Sequence, residues 1–284
     1  MIAASELIIN PDGSVFHLHL RPGELAPTII LVGDPARVVA IADRFEKVEL
    51  RRDNREFCSI TGLCHGQRLS VVSTGIGCDN IDIVITELDA LWNVDFATRE
   101  VNASHNSLTI IRLGTSGAVN PSIALGDILS STTSIGIDGL AYFYADNDRV
   151  RNSVKEQDFI AKTQWNKNLA RPYVVDNSED LLARFDGFAR RATTVSASGF
   201  YGPQGREVRL KLADNQYLAH IEAAGVDNFE MEGAAISFLG QMLGHKTLTI
   251  CAIIAQRVAG DSKPDYQHYV DKLIDGTLDR LTKN

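Results

Sequence analysis

The chain has 284 residues, of which 44% are hydrophobic and 23% are charged, and its formal net charge is −8 at pH 7. This composition is typical of a globular protein with enough apolar material for a large core. The acidic balance and the lack of dense Lys/Arg runs argue against nonspecific nucleic-acid binding, which needs a basic face.

The four cysteines are not arranged as a metal or disulfide framework. Cys58, Cys64, Cys78 and Cys251 form neither a CxxC motif nor a Cys/His cluster with zinc spacing, which suits a reducing compartment. The N-terminus lacks a basic segment followed by an apolar core, and no apolar run reaches transmembrane length. We therefore expect a soluble cytoplasmic protein with no metal centre.

Short apolar runs rich in Val, Ile and Thr predict β-strands along the whole chain. Their nearly continuous apolarity favours central strands that are covered on both faces. The predicted strands are 28–32, 69–72, 108–113, 126–131, 192–197 and 247–255.

Two segments between these strands predict helices. Residues 80–92 carry apolar side chains at the spacing of one helical face, and Asp79 or Asn80 is expected to cap the start. Residues 231–243 are apolar nearly all round, which predicts a buried helix that ends at Gly244.

The alternation of strands and helices predicts the fold class. A last helix is expected near 266–282, and the most irregular regions are 93–107 and 139–180. We expect an α/β fold: a single domain over residues 1–284, with a central mixed, largely parallel β-sheet flanked by helices.

Glycines and arginines follow five of the predicted strands. If these strands run parallel, their carboxyl ends share the edge at which α/β sheets bind ligands. Glycines let backbone N–H groups approach an anion, and arginines offer forked donors that suit phosphate. The set matches neither a Walker A motif nor a dinucleotide GxGxxG. The five loops are GDPAR (33–37), STGIG (73–77), GTSG (114–117), SGFYGPQGR (198–206) and QR (256–257).

Charged residues at two buried positions are further candidates. Arg112 interrupts an apolar strand two residues before a Gly-Thr turn, where it must be paired or meet an anion because unpaired burial is costly. Glu230 and Glu232 lie at the entrance to the predicted buried helix. They can cap that helix, or one of them can accept hydrogen bonds from a diol.

Taken in order, these motifs resemble the class I nucleoside phosphorylase family from about Val15 to Arg257. They are GDPxR, STGIG, RxGT[ST]G, FYxxQGR, N[FI]EME and a strand that ends in Arg. The pair Gln204 and Arg206 resembles that of the uridine-cleaving members. It discriminates best among the motifs, because purine-specific members lack it. The resemblance implies a pentosyltransferase of pyrimidine salvage that converts uridine and phosphate reversibly into uracil and ribose 1-phosphate, without a cofactor.

The resemblance also implies roles for residues around the phosphate and the ribose. The phosphate would be bound by Gly33, Arg37, Arg112 and Thr115, with Arg55 supplied by the neighbouring subunit of a homo-oligomer. The ribose would be bound by Met231 and Glu232, with His17 reaching the 5′-hydroxyl across the dimer interface.

The remaining implied roles concern the base and a cation. The base would be bound by Phe200, Gln204, Arg206 and Arg257. Some family members bind a monovalent cation such as potassium between subunits, at the positions of Glu56, Ile76 and Asn80.

Several alternatives stay open at this stage. The segment 255–258 has no carboxylate where purine members carry an acidic residue, which argues against a purine or broad-specificity nucleoside phosphorylase. The arginines argue against a nucleosidase, which uses water. A catalytically silent nucleoside-binding protein would keep the same contacts. Cys78 stands where many relatives have glycine, and the long connection 93–107 leaves a dimer and a hexamer both open.

Overall fold

Eleven strands form one mixed sheet in the computed structural model of the protein, which describes residues 1–262 and 264–283. Two further short strands, β5 and β6, pair only with each other. The strands are β1 (Thr28–Val32), β2 (Lys47–Asn54), β3 (Phe57–Cys64), β4 (Gln67–Ser73), β5 (Val94–Asp95), β6 (Glu100–Val101), β7 (Thr109–Ala118), β8 (Ile128–Gly136), β9 (Tyr173–Asp176), β10 (Arg190–Ser196), β11 (Asn228–Glu230), β12 (Lys246–Gln256) and β13 (Asp261–Ser262).

Helices cover both faces of this sheet. In the described part of the chain, none of them is long and apolar enough to cross a membrane. They are α1 (Pro35–Ala42), α2 (Cys78–Asn93), α3 (Ser153–Lys162), α4 (Glu179–Arg184), α5 (Tyr217–Ala223), α6 (Gly233–Met242) and α7 (Gln267–Thr282).

The six predicted strands are confirmed as β1, β4, β7, β8, β10 and β12. The prediction that residues 114–117 form a turn is wrong, because β7 continues through them to Ala118. The antiparallel hairpin of β2 and β3 was not predicted. β2 reads KVELRRDN and lies at the end of the sheet, so it carries too few apolar residues to give a strand pattern.

The predicted helices are also confirmed, as α2, α6 and α7. The expected cap of α2 by Asp79 or Asn80 is wrong, because the helix begins directly after Gly77 and has no side-chain cap. Gly244 follows α6 with a φ of 79°, the left-handed conformation expected of a glycine at that position.

Alternate residues of the central strands face two apolar layers. Ile30 and Val32 of β1 pack with α1, α4 and α7 on one face of the sheet. Ile29 and Leu31 pack with α2 and α6 on the other face. This double coverage is what the nearly continuous apolar runs predicted.

The strand directions position the candidate site. β4, β1, β7 and β12 are neighbours and run parallel, whereas β11 is antiparallel to β7, and β10 is parallel to β11. The expectation that all five loops follow parallel strands is therefore wrong for β10. β1 ends at Val32, opposite Leu113 in the middle of β7. The carboxyl ends of β1 and β4 therefore approach this part of β7 from one side, and those of β10 and β11, which run the opposite way, approach it from the other.

Candidate active site

Arg112 lies in the middle of β7 at the centre of a buried charge cluster. Its Nη2 donates a short hydrogen bond to Glu232, its Nη1 lies 3.3 Å from Oε2 of Glu230, and Nη1 also lies 3.6 Å from the sulfur of Cys251. Burial alone would lower the pKa of the guanidinium, but Glu232 and Glu230 raise it above its usual value. Arg112 is thus paired, which is one of the two outcomes that its position predicted.

A second guanidinium lies next to this cluster. Arg37 of α1 donates from Nη1 to the carbonyl of Leu113 at 3.1 Å. Burial, followed by repulsion from Arg112, lowers the pKa of Arg37. Among the residues that the structure describes, no carboxylate pairs with Arg37. A half-buried cation that forms no ion pair is suited to bind an anion.

Gly114 makes room for Arg112, and Gly33 lies close to the loop around Gly75. A Cβ on Gly114 would lie 1.9 Å from Nη1 of Arg112, and a Cβ on Gly33 would lie 3.4 Å from the carbonyl oxygen of Gly75. Thr115 is half-buried one residue beyond Gly114. The structure therefore brings together four predicted phosphate residues: Gly33, Arg37, Arg112 and Thr115.

Gly114→Ala is expected to raise the KM for phosphate, the substrate that the motifs predict, at least about tenfold, because the new methyl group would displace the Arg112 guanidinium. Overpacking at a buried site also costs about 1–3 kcal/mol of stability. Steady-state kinetics with phosphate as the varied substrate checks this. Gly66→Ala is the control for a loss of stability alone, since its φ of 74° strains an alanine while a Cβ there meets no atom within 4 Å. An unchanged KM in Gly114→Ala would contradict the close approach of Arg112.

The two carboxylates before α6 have different roles. Oε2 of Glu230 accepts hydrogen bonds from the N–H groups of Glu232 (2.9 Å) and Gly233 (2.8 Å), so Glu230 caps the helix. Oε1 of Glu232 accepts the N–H of Gly77 at 2.7 Å. Burial raises the pKa of Glu232, and Arg112 opposes that rise. Met231 lies half-buried between the two carboxylates.

The predicted base residues form a second group beside β11. Gln204 is buried in a short 3-10 turn, and its carbonyl accepts Nη1 of Arg257 at 2.9 Å. The Arg206 guanidinium lies 4.1 Å from the ring centroid of Phe200 and donates to the Phe200 carbonyl. Burial lowers the pKa of Arg206, and burial together with Arg206 lowers the pKa of Arg257 to about 10. All four residues therefore lie together.

A cavity of about 820 Å³ opens beside this base group and is lined by Tyr201 and Arg206. Asp138, which follows β8, also lines it and accepts the hydroxyl of Tyr173 at 3.1 Å. Burial raises the pKa of Asp138. Asp138 was not predicted as a site residue. The one feature that could have indicated it is an Asp-Gly pair after an apolar strand, which is also common in ordinary turns.

The two residues expected to act across an interface lie next to each other. Arg55 is exposed in the turn between β2 and β3, with a φ of 54°. His17 lies beside that turn, because the side-chain amide of Asn54 donates to the His17 carbonyl at 2.7 Å. In the described residues 1–262 and 264–283, neither side chain makes a hydrogen bond or ion pair with a predicted phosphate or base residue.

The three residues expected near a cation surround Gly75, which has a φ of 67°. A Cβ on Gly75 would lie 2.5 Å from Nδ2 of Asn80 and 3.2 Å from Cγ of Glu56. The side chain of Ile76 is exposed. The oxygens of Glu56 and Asn80 are donors of the hard type that suits such a cation.

Cys78, the first residue of α2, is expected to react slowly with iodoacetamide at neutral pH. Burial, followed by repulsion from Asp138, raises the pKa of its thiol to about 11. Below that pH the thiol is neutral, so alkylation should accelerate as the pH rises toward 11. Mass spectrometry of the native protein labelled between pH 7 and pH 10 measures this rate. The other three cysteines are buried, and rapid labelling of Cys78 at pH 7 would contradict the expectation.

A further polar cluster lies at the opposite end of β12, where Asp89, His105 and His245 bring their ligand atoms within 4.8 Å of one another. Nδ1 of His245 accepts the N–H of Leu108, so the proton of the neutral ring lies on Nε2. Nε2 faces Asp89 at 3.2 Å. Among the described residues Nε2 forms no hydrogen bond despite this close approach, and the tautomer leaves Nε2 without a lone pair for a metal.

Comparisons with known proteins identify the family of the chain. Residues 27–277 match the family model of the phosphorylase superfamily. The chain is 28% identical over 258 residues to a uridine phosphorylase from Thermococcus kodakarensis, covering 88% of this chain and 80% of that protein. It is 27% identical over 238 residues to a DeoD-type purine nucleoside phosphorylase from Listeria welshimeri, covering 84% and 85% respectively.

A solved structure gives the same result. The crystal structure of a Trypanosoma brucei nucleoside phosphorylase that shows uridine phosphorylase activity is similar with a TM-score of 0.86 at 28% identity, covering 98% of this chain and 100% of that chain. The chain belongs to the phosphorylase superfamily, since the family model spans most of its length. The family and the fold class that the motifs predicted are thereby confirmed.

Proposed function

We propose that the protein is a uridine phosphorylase, which converts uridine and phosphate reversibly into uracil and ribose 1-phosphate. The observation that carries the proposal is the arrangement of two arginines around one point. Arg112 is held by Glu232, and Arg37 next to it has no carboxylate partner among the described residues. An anion that binds Arg37 would lie close to the carboxylate proposed to bind the ribose.

The phosphate group accounts for the first half of the reaction. Cleavage of the glycosidic bond leaves a sugar with oxocarbenium character, and phosphate attacks its C1′ atom. Arg37 and Arg112, with the backbone at Gly33 and the hydroxyl of Thr115, would hold that phosphate under the sugar. A fixed nucleophile makes the step effectively unimolecular, which lowers the barrier by removing the entropy cost of encounter.

The base group accounts for the second half. The leaving uracil gains negative charge on its carbonyl oxygens, and the guanidinium of Arg206 would stabilise it. The Gln204 side chain offers both a donor and an acceptor to the uracil edge, and this fixes the orientation of the ring. Arg257 supports the loop, because it donates to the carbonyl of Gln204 at 2.9 Å.

The proposed enzyme is a cytoplasmic homo-oligomer with shared sites. Arg55 and His17 lie side by side at the surface of the subunit. A neighbouring subunit would receive Arg55 at its phosphate and His17 at the 5′-hydroxyl of its nucleoside. A monovalent cation between Glu56 and Asn80 would stabilise the loop around Gly75, and no other cofactor is proposed.

Ultraviolet detection of uracil release tests the proposal. Uridine is supplied with and without phosphate, and inosine is assayed in parallel. Phosphate-dependent release from uridine and no cleavage of inosine would support it. Release without phosphate would identify a nucleosidase, inosine cleavage would identify a purine or broad-specificity phosphorylase, and no turnover would favour a silent nucleoside-binding protein.

A further inference from the structure

Glu87 is a buried carboxylate on α2 whose hydrogen bonds all lead to one short segment. Only 7% of the residue is exposed. Its oxygens accept the backbone N–H groups of His17 (3.0 Å) and Leu18 (2.9 Å), and Oε1 lies 2.6 Å from Nδ1 of the His17 ring. A buried carboxylate is costly unless it is hydrogen bonded, and these contacts satisfy it.

The contact with Glu87 sets the tautomer of the imidazole. A carboxylate that accepts N–H groups has no proton to give, so Nδ1 of His17 carries the hydrogen. Nε2 of the neutral ring is then left as an acceptor. In the residues 1–262 and 264–283, no group donates a hydrogen bond to Nε2, and 27% of the side chain is exposed.

Asn54 ties the same segment to the turn that carries Arg55. Its amide donates to the His17 carbonyl at 2.7 Å, and Arg55 is the next residue along the chain. The rings of His17 and Phe57 also meet edge-on, with centroids 6.4 Å apart. His17 and Arg55 are therefore held as one unit on the surface of the subunit.

We propose that Glu87 is a positioning residue for ribose recognition in the neighbouring subunit. It locks His17 so that Nε2 accepts a hydrogen bond from the 5′-hydroxyl of the bound nucleoside. Glu87 touches no substrate and acts only through His17. The inference rests on the proposed uridine phosphorolysis. It adds Glu87 as the residue that fixes the tautomer of His17, which one subunit supplies to the site of its neighbour.

The test compares uridine with 5′-deoxyuridine, which lacks the hydroxyl in question. We expect the wild-type enzyme to prefer uridine by about tenfold in kcat/KM, the effect of one well-placed hydrogen bond. His17→Ala should remove this preference. Glu87→Gln should remove most of it, because the amide can also donate and no longer fixes Nδ1–H. The double variant should show no further loss of the preference beyond that of His17→Ala.

Glu156→Gln is the matched control for the loss of a buried carboxylate. Glu156 is fully buried and accepts hydrogen bonds from Arg151 and from the N–H of Val174. We expect both this variant and Glu87→Gln to lower the melting temperature, but Glu156→Gln should keep the preference for uridine. The control thus separates a loss of stability from a loss of positioning.

The results expected for Glu87→Gln can be told apart from those of the uracil-release assay that tests the proposed function. Equal losses on uridine and 5′-deoxyuridine in Glu87→Gln would overturn the positioning role. Nitrogen-15 chemical shifts of the His17 ring read the tautomer without turnover, and we expect Nδ1–H in the wild type and a mixture in Glu87→Gln. An Nε2–H tautomer in the wild type would overturn the inference even in an active enzyme. A wild type that shows Nδ1–H but cleaves neither nucleoside would reject the proposed function instead.

Discussion

Arg112→Met is expected to abolish phosphorolysis, with a loss of at least about a thousandfold in kcat/KM, because one preorganised donor to a reacting group contributes on that order. Methionine fills most of the volume of the arginine, so the loss would report on charge rather than on a cavity. The variant also leaves Glu230 and Glu232 buried without their cation. Breaking a buried pair in this way costs about 3–5 kcal/mol of stability.

Arg37→Met separates the two effects of Arg112→Met. The Arg37 side chain makes one hydrogen bond within the described part of the chain, to the carbonyl of Leu113, and burial already lowers the pKa of its guanidinium. Its removal should therefore leave the melting temperature nearly unchanged while raising the KM for phosphate at least about a hundredfold. Steady-state kinetics at varied phosphate measures the KM, and thermal unfolding measures the melting temperature. An unchanged KM for phosphate in Arg37→Met would reject the phosphate assignment.

Local patterns were sufficient to predict which segments supply the candidate site. Apolar runs predicted the central strands, and Gly33 and Gln204 follow two of them as expected. Arg37 was predicted in a loop but lies in α1, because that helix already begins at Pro35. These predictions succeed because strand identity depends on buried side chains that are close in sequence. The motif Asn-Phe-Glu-Met-Glu likewise fell at the start of α6, with Glu232 facing Arg112.

Pairing between distant segments could not be predicted in the same way. The antiparallel contact of β11 with β7 places Phe229 opposite Gly117, and no pattern within either strand encodes it. The same contact brings Glu230 to Arg112 and makes it the cap of α6. Gly114 was predicted in a turn because glycine is common there, but in β7 it clears space for a guanidinium.

Arg206→Ala is expected to lower kcat/KM for uridine by about a hundredfold or more, since Arg206 is the donor proposed to meet charge on the leaving uracil. Arg206 makes no ion pair among the described residues, and its guanidinium lies over the Phe200 ring and donates to the Phe200 carbonyl. Its loss should cost little stability. It should also raise the pKa of Arg257 toward the usual value, because Arg206 is one cause of the lowering.

If Arg206 binds the base, its replacement should weaken the binding of uracil but not the binding of phosphate. Phosphate binding measured by calorimetry should be unchanged in Arg206→Ala, whereas the KM for uracil in the synthetic direction should rise steeply. Arg184→Ala is the matched control, because Arg184 is exposed at the end of α4 and does not line the cavity beside the base group. If Arg206→Ala and Arg184→Ala lowered kcat/KM equally, or if phosphate binding fell together with uracil binding, the Gln204–Arg206 loop would not be the base site.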